Sequence, residues 1–165
     1  MRAQDAEGWT MHGRRYLFLS EDRGPDPTIG TTPRVNSTLW VLSDGGQFEA
    51  VQSIPTDGAH AAEAFRAGGE WWLAIANFGD RLGAPKHGIK PRYEAQSPLL
   101  RWDSARGVFV PVAEVKTQGA TDLEHFHLDG QDFLAVANEG NVQGRQHQTS
   151  VIFRLDPGCV DAAHK

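Results

Sequence analysis

One block of this chain is written twice. Phe48 to Gly79 lies over Phe109 to Gly140 in a single constant register, with no gap. Within it Thr56-x-Gly58-Ala59 matches Thr117-x-Gly119-Ala120, and Glu63-x-Phe65 matches Glu124-x-Phe126. Leu73-Ala74-Ile75-Ala76-Asn77 matches Leu134-Ala135-Val136-Ala137-Asn138. A weaker third copy opens the chain, where Ala3, Asp5, Glu7 and Trp9 stand in step with Ala59, Ala61, Glu63 and Phe65. A period of this size marks an array in which each repeat is one supersecondary unit that buries its apolar face against its neighbours.

The segments inside each repeat read as short strands. Ala50 to Ile54 and Val110 to Val115 alternate with period 2, as half-buried strands do. Trp71–Ala76 and Phe133–Ala137 are apolar runs bounded by Gly and Asn, the pattern of a strand buried on both faces. Glu63–Phe65 with Leu123–Leu128, and Thr38–Leu42 with Leu99–Trp102 and Ser150–Leu155, supply two further strand types. Pro55 to Gly58, Gly68-Gly69, Asp129-Gly130 and Asp44 to Gly46 mark the turns between them. No apolar helical period persists, so very little helix is expected; His60–Phe65 alone has helix-friendly composition.

Four short antiparallel strands in each repeat, at this repeat length, predict an all-β fold, a segment of β-propeller with four-stranded blades. A β-sandwich is the rival, but sandwiches do not usually repeat four strands at near-identical sequence. The repeats divide the chain into a partial blade at 1–44, blades at 45–103 and 104–156, and a tail at 157–165. That is just under three blades, an incomplete ring. Two expectations follow: a fragment of a longer propeller, or copies that self-associate through open blade edges.

Bulk properties exclude some roles. A formal charge of −5 argues against a nucleic-acid surface, and no basic stripe interleaved with aromatics occurs. No apolar run is long enough for membrane insertion by a helix, and the N-terminus lacks the shape of a signal peptide. Cys159 is the single cysteine, so neither an intrachain disulfide nor a cysteine-based zinc site can form. There is no Gly-x-Ser-x-Gly elbow and no phosphate-binding glycine loop.

The residues also resemble a known family. The second full copy runs Phe109, Glu114-Val115, Thr117, Gly119-Ala120, Asp122, Glu124, Phe126, Gly130, then Phe133 to Asn138, and Ser150 with Ile152-Phe153-Arg154-Leu155. This is similar to the epilepsy-associated repeat, called EAR or EPTP. The copy from 48 to 102 matches too, with Ala61 where Asp is usual, and the opening copy keeps Asp5 and Glu7 but loses the Ala-Asn signature. The resemblance implies a seven-bladed propeller and extracellular protein–protein recognition without catalysis. It also implies an extracellular or secreted setting for a complete parent protein.

Three sets of residues invite a functional reading. The recurrent acids Asp5, Glu7, Glu63, Asp122 and Glu124 could ring a central channel and hold a hard cation such as Ca2+. The alternative is that each satisfies a donor on a neighbouring blade and recurs because the blade recurs. His125 and His127 share one strand face, but their equivalents in the other copies are not histidine. The third set is the loops after the buried strand: Glu21–Asn36, Phe78–Gln96 and Glu139–Gln148. They occupy equivalent places and so emerge on one face, where a rigid scaffold displays binding residues. The middle loop is basic on an acidic protein, with Arg81, Lys86, His87, Lys90 and Arg92, and offers Phe78 and Tyr93 as anchors. The sequence therefore predicts a non-catalytic protein-binding module. A hydrolase or metal-dependent enzyme using channel acids, and a truncated chain without autonomous function, are the alternatives.

Overall fold

The computed structural model describes residues 2–80, 82–140 and 149–156. Among them the chain forms β1 (Arg2–Met11), β2 (Arg14–Asp26), β3 (Gly30–Thr32), β4 (Arg34–Leu42), β5 (Phe48–Asp57) and β6 (Ala59–Ala67). There follow β7 (Glu70–Asn77), β8 (Glu94–Asp103), β9 (Val108–Gln118), β10 (Ala120–Leu128), β11 (Gln131–Asn138) and β12 (Val151–Leu155). The only helix among the described residues is a single 3-10 turn at Pro85–His87. His60–Phe65, despite its composition, lies inside β6. The fold is all-β, as the period-2 patterns require.

Every pairing is antiparallel, and three sheets result. The first is ordered β1-β2-β4-β5, with β3 against the extension of β2; the second is β6-β7-β8-β9; the third is β10-β11-β12. These sheets are offset from the sequence repeats by one strand. The strand that opens each repeat, β5 or β9, pairs with the last strand of the sheet before it. The first sheet therefore has a full set of four long strands although the first repeat lacks its opening segment. Among the described residues it is the third sheet that has three. The physical reason is local: β4–β5 and β8–β9 are hairpins closed by the Asp44-Gly45-Gly46 and Ala105-Arg106-Gly107 turns. Gly46 and Gly107 adopt φ of 78° and 68° there.

Successive sheets stack face to face. Residues paired across neighbouring strands point to the same side, so each sheet has two distinct faces. The leading face carries Glu7, Trp9, Tyr16, Phe18 and Leu39 in the first sheet, and Glu63, Phe65, Trp72, Ala74 and Leu99 in the second. The trailing face of the second sheet carries Ala62, Ala64, Leu73, Ile75 and Leu100. One core cluster joins the first sheet's leading face to the second's trailing face; the other joins the second's leading face to Leu123, Leu134 and Val136 of the third. Consequently β7 is covered on both sides, with every residue from Trp72 to Asn77 buried. Its alternation of alanine with Leu73 and Ile75 lets neighbouring sheets approach while the larger side chains fill the gap.

The repeated Thr and Asn make polar ties at the sheets' ends, the threonines within one sheet and the asparagines between neighbouring sheets. Ser37 and Thr56 hydroxyls lie 3.0 Å apart, and the equivalent Ser97 and Thr117 lie 2.8 Å apart, all four buried. Asn77 accepts the Asp57 N–H at 3.2 Å and donates to the Gln96 carbonyl at 2.6 Å. Asn138 repeats this with Gln118 N–H at 3.1 Å and the Thr149 carbonyl at 3.2 Å. Each asparagine thus clasps the incoming strand of its own sheet to the outgoing strand of the preceding one.

Candidate functional site

The three equivalent connections differ in construction. The first, expected as a loop over Glu21–Asn36, is a β-hairpin: β2 runs on to Asp26, β3 pairs back onto it, and β4 begins at Arg34. Its walls are polar and buried, with Ser20, Glu21, Asp22 and Arg23 all under 9% exposed. Asp26 takes the Thr28 and Ile29 N–H groups at 2.8 and 2.9 Å, which holds its carboxyl below the usual range. The third connection, over 141–148, lies outside the described residues.

The middle connection is rooted firmly. Asp80 and Arg92 exchange two backbone hydrogen bonds of 2.6 Å, and Ala84 and Ile89 form a second bridge further out. Asp80 also accepts the Leu82 and Gly83 N–H groups at 3.3 and 2.9 Å. Its carboxylate is paired with Arg23 at 2.8 Å, an ion pair that is almost fully buried and joins this loop to the hairpin of the first sheet. Arg92 is held by Asp57 at 2.5 Å and by the Glu94 carbonyl. Gly79 is required by this root: its φ is 89°, and a Cβ there would lie 2.5 Å from the Arg92 carbonyl oxygen. The Asp-x-x-Gly spacing from Asp80 to Gly83 is a turn signal that sequence reasoning could have used.

The residues expected to form the binding face therefore separate. Lys86, His87 and Lys90 lie exposed at the tip. Arg92 belongs to the root, and Arg81 lies outside the described residues. Phe78 is not an exposed anchor: it is 1% exposed, stacked on His60 at 4.4 Å and edge-on to Tyr93 at 5.5 Å. It fills the space between His60 at the start of β6, Tyr93 and Gly119. Tyr93 is half-buried and lies against Gly140, where any Cβ would come within 2.4 Å of its ring. Two residues not singled out from sequence take their place at the tip, Leu82 and Ile89, 52% and 40% exposed. No periodicity marks an exposed Leu in a loop, so the sequence held no signal for them. At the loop's root a cleft of about 720 Å3 opens, lined by Asp57, Arg92, Gln96, Lys116, Gln118 and Asn138 among others.

The recurrent acids are engaged between sheets. Asp5 accepts the Ala62 N–H at 3.1 Å and Glu7 the Ala64 N–H at 3.4 Å, both on the inner strand of the next sheet. Glu63 takes the His125 N–H in the same way. Where Ala61 replaces the usual Asp, the Leu123 N–H turns to its own Asp122 at 2.9 Å. Burial, then the nearby Glu7 and Glu124 carboxylates, push Glu63 up to about 7. Burial also raises Glu7, against the Ala64 hydrogen bond that lowers it. Among the described residues no three His, Cys, Asp or Glu side chains are set to hold a metal ion. His125 and His127 instead share one oxygen of Asp132, at 3.1 and 3.0 Å, and this holds Asp132 low. The His125 ring is further stacked on Phe65 at 4.3 Å, across the sheet interface.

The comparisons with known proteins agree with this geometry. The model of the EPTP domain matches residues 47–103 and 108–156. A human protein described as thrombospondin-type laminin G domain and EAR repeat-containing protein is 34% identical over 114 residues, 67% of this chain. Its mouse counterpart of the same description is 30% identical over 125 residues, 75% of this chain. The alignments cover 15% and 17% of those relatives' own lengths. With the matched segments spanning well over half of its length, the chain belongs to the EPTP domain family.

Proposed function

We propose that this chain is a non-catalytic protein-recognition module whose partner docks on the loop face. The observation that carries the reading is the rigidly rooted loop between β7 and β8. Its root is fixed by two backbone bridges and a buried ion pair, and its tip displays Leu82 and Ile89 beside Lys86, His87 and Lys90. An exposed apolar pair beside the Lys86 and Lys90 cations suits a protein surface with a hydrophobic patch and an acidic rim. Membership of the EPTP family supports an interaction role and, for a complete parent protein, an extracellular setting.

The test keeps the root and changes the tip. Deleting residues 79–96 would also remove the start of β8, so point variants are preferable. A variant carrying Leu82→Ser, Lys86→Glu, Ile89→Ser and Lys90→Glu is expected to keep the wild-type fold by circular dichroism. Against a panel of extracellular proteins, wild type should bind at least one member and the variant should bind it at least tenfold more weakly. Equal binding by the two removes the loop tip from the site. The hydrolytic alternative has one observation in its favour, the Glu63 carboxyl raised to about 7 amid other acids. A hydrolase screen that detects activity in wild type and not in Glu63→Gln would establish it.

A further inference from the structure

Asn36-Ser37-Thr38 carries the Asn-x-Ser/Thr pattern that N-linked glycosylation requires, with no proline at the middle position. The three residues lie in β4, where they pair with β5. Side chains alternate along a strand, so Asn36 and Thr38 share one face and Ser37 takes the other. Ser37 is fully buried, accepts the Glu21 N–H at 2.9 Å and meets the Thr56 hydroxyl at 3.0 Å. Asn36 is exposed and Thr38 half-buried, and neither side chain hydrogen-bonds to the described residues.

The second sheet separates what the fold demands here from what it leaves open. Ser37 recurs as Ser97, buried and joined to Thr117 in the same way. Asn36 and Thr38 do not recur: Gln96 and Pro98 stand in their places. Gln96 is exposed although the first sheet packs against its face of the second. This strand position therefore stays open to solvent with a neighbouring sheet in place. The recurrent Asn77 and Asn138 use both atoms of their amides in the clasp between sheets. At Asn36 and Thr38, by contrast, an amide and a hydroxyl two residues on stand where no hydrogen bond of the fold requires either.

We propose that Asn36 accepts an N-linked oligosaccharide when the chain passes through a eukaryotic secretory pathway, a route that rests on the extracellular setting proposed above. Its Nδ2 attacks C1 of an oligosaccharide carried on a lipid diphosphate. The C1–O bond to the diphosphate breaks, the N–C1 bond forms, and one amide proton is released with the lipid diphosphate. The product is a bulky, hydrophilic group on the solvent side of β4. The Ser37–Thr56 tie lies on the opposite face and is kept.

The test expresses the full 165-residue chain behind a cleavable secretory leader in mammalian cells, and reads secreted and cell-retained protein alike. Treatment with peptide-N-glycosidase F in heavy-oxygen water, followed by peptide mass spectrometry, should label residue 36 in most molecules. Asn36→Gln and Thr38→Ala should each abolish the glycan, whereas Thr38→Ser should keep it. The glycosidase should also remove the glycan from the folded chain, without denaturant and with an unchanged circular dichroism spectrum. Protein recovered from the pathway without a glycan at Asn36 overturns the proposal, as does a glycan that only denaturation makes accessible. No binding partner enters this readout, so failure of recognition at the loop tip and failure of glycosylation are told apart.

Discussion

At the scale of the residue, the repeated polar side chains act as joints between sheets. Asn77 is 4% exposed and satisfies a donor and an acceptor on different strands. Asn77→Ala should lower stability by about 1 to 2 kcal/mol, since two partly buried backbone groups lose their partners; urea unfolding checks this through a lower midpoint at unchanged slope. Glu63 makes a second case, with a sign that can be worked out. Its carboxyl sits at about 7 in the folded chain, against an ordinary value of 4.5. Between those values the folded state holds a proton that the unfolded state has released, so stability falls as pH rises through that window. Partial solvation screens the effect to about 1 kcal/mol. Thermal unfolding of wild type should therefore weaken between pH 5 and 8, and Glu63→Gln should flatten that part of the profile. The recurrence of these acids is legible in the sequence, as is the option that they bond to a neighbouring blade. Which strand receives each one is not, because the partner is a backbone N–H in the following repeat, and backbone groups leave no trace in side-chain spelling.

Elements are legible where burial imposes a pattern. The apolar run of β7 announces a strand covered on both faces, and Leu73 within it is 0% exposed. Leu73→Ala should cost about 2 to 5 kcal/mol, because packed sheets on both sides limit collapse into the space left; calorimetry should show a melting temperature many degrees lower. Connections are less legible. The segment after Tyr16 in the first repeat carries Ser20, Glu21, Asp22 and Arg23, which look like loop residues and prove to be the buried wall of an extended hairpin. Ion pairs across the chain accommodate Asp22 and Arg23, with Arg2 and Asp80 respectively, and such distant pairing has no local signature. Phe78 departs from its expected exposure because the pairing of β6 with β7 and the closing of the loop root bring His60 and Tyr93 onto its ring. Arg23→Ala would leave Asp80 buried without its cation. That should loosen the loop root by a few kcal/mol, seen as faster amide exchange at Leu82 and Gly83 while the β7 amides remain protected.

Across the whole molecule, the sequence repeat and the structural sheet are the same unit counted from different starting points. Repeats begin with the outer strand, sheets begin with the inner one, and the two countings differ by β5 and β9. This offset ties consecutive repeats together, since each must reach back to complete its predecessor. The period thus reveals the architecture at once, while the grouping of strands needs the hydrogen bonds. The same division sets the proposed function: recurrent acids serve the stack, and the loop that does not recur is the one we propose for recognition. The most direct measurement compares two variants against one bound extracellular protein, by surface plasmon resonance at pH 7.4. The account predicts that the four-site loop-tip variant loses at least tenfold in affinity while Glu63→Gln binds within twofold of wild type. Full binding by the loop-tip variant together with loss in Glu63→Gln would place the function on the acids and contradict it.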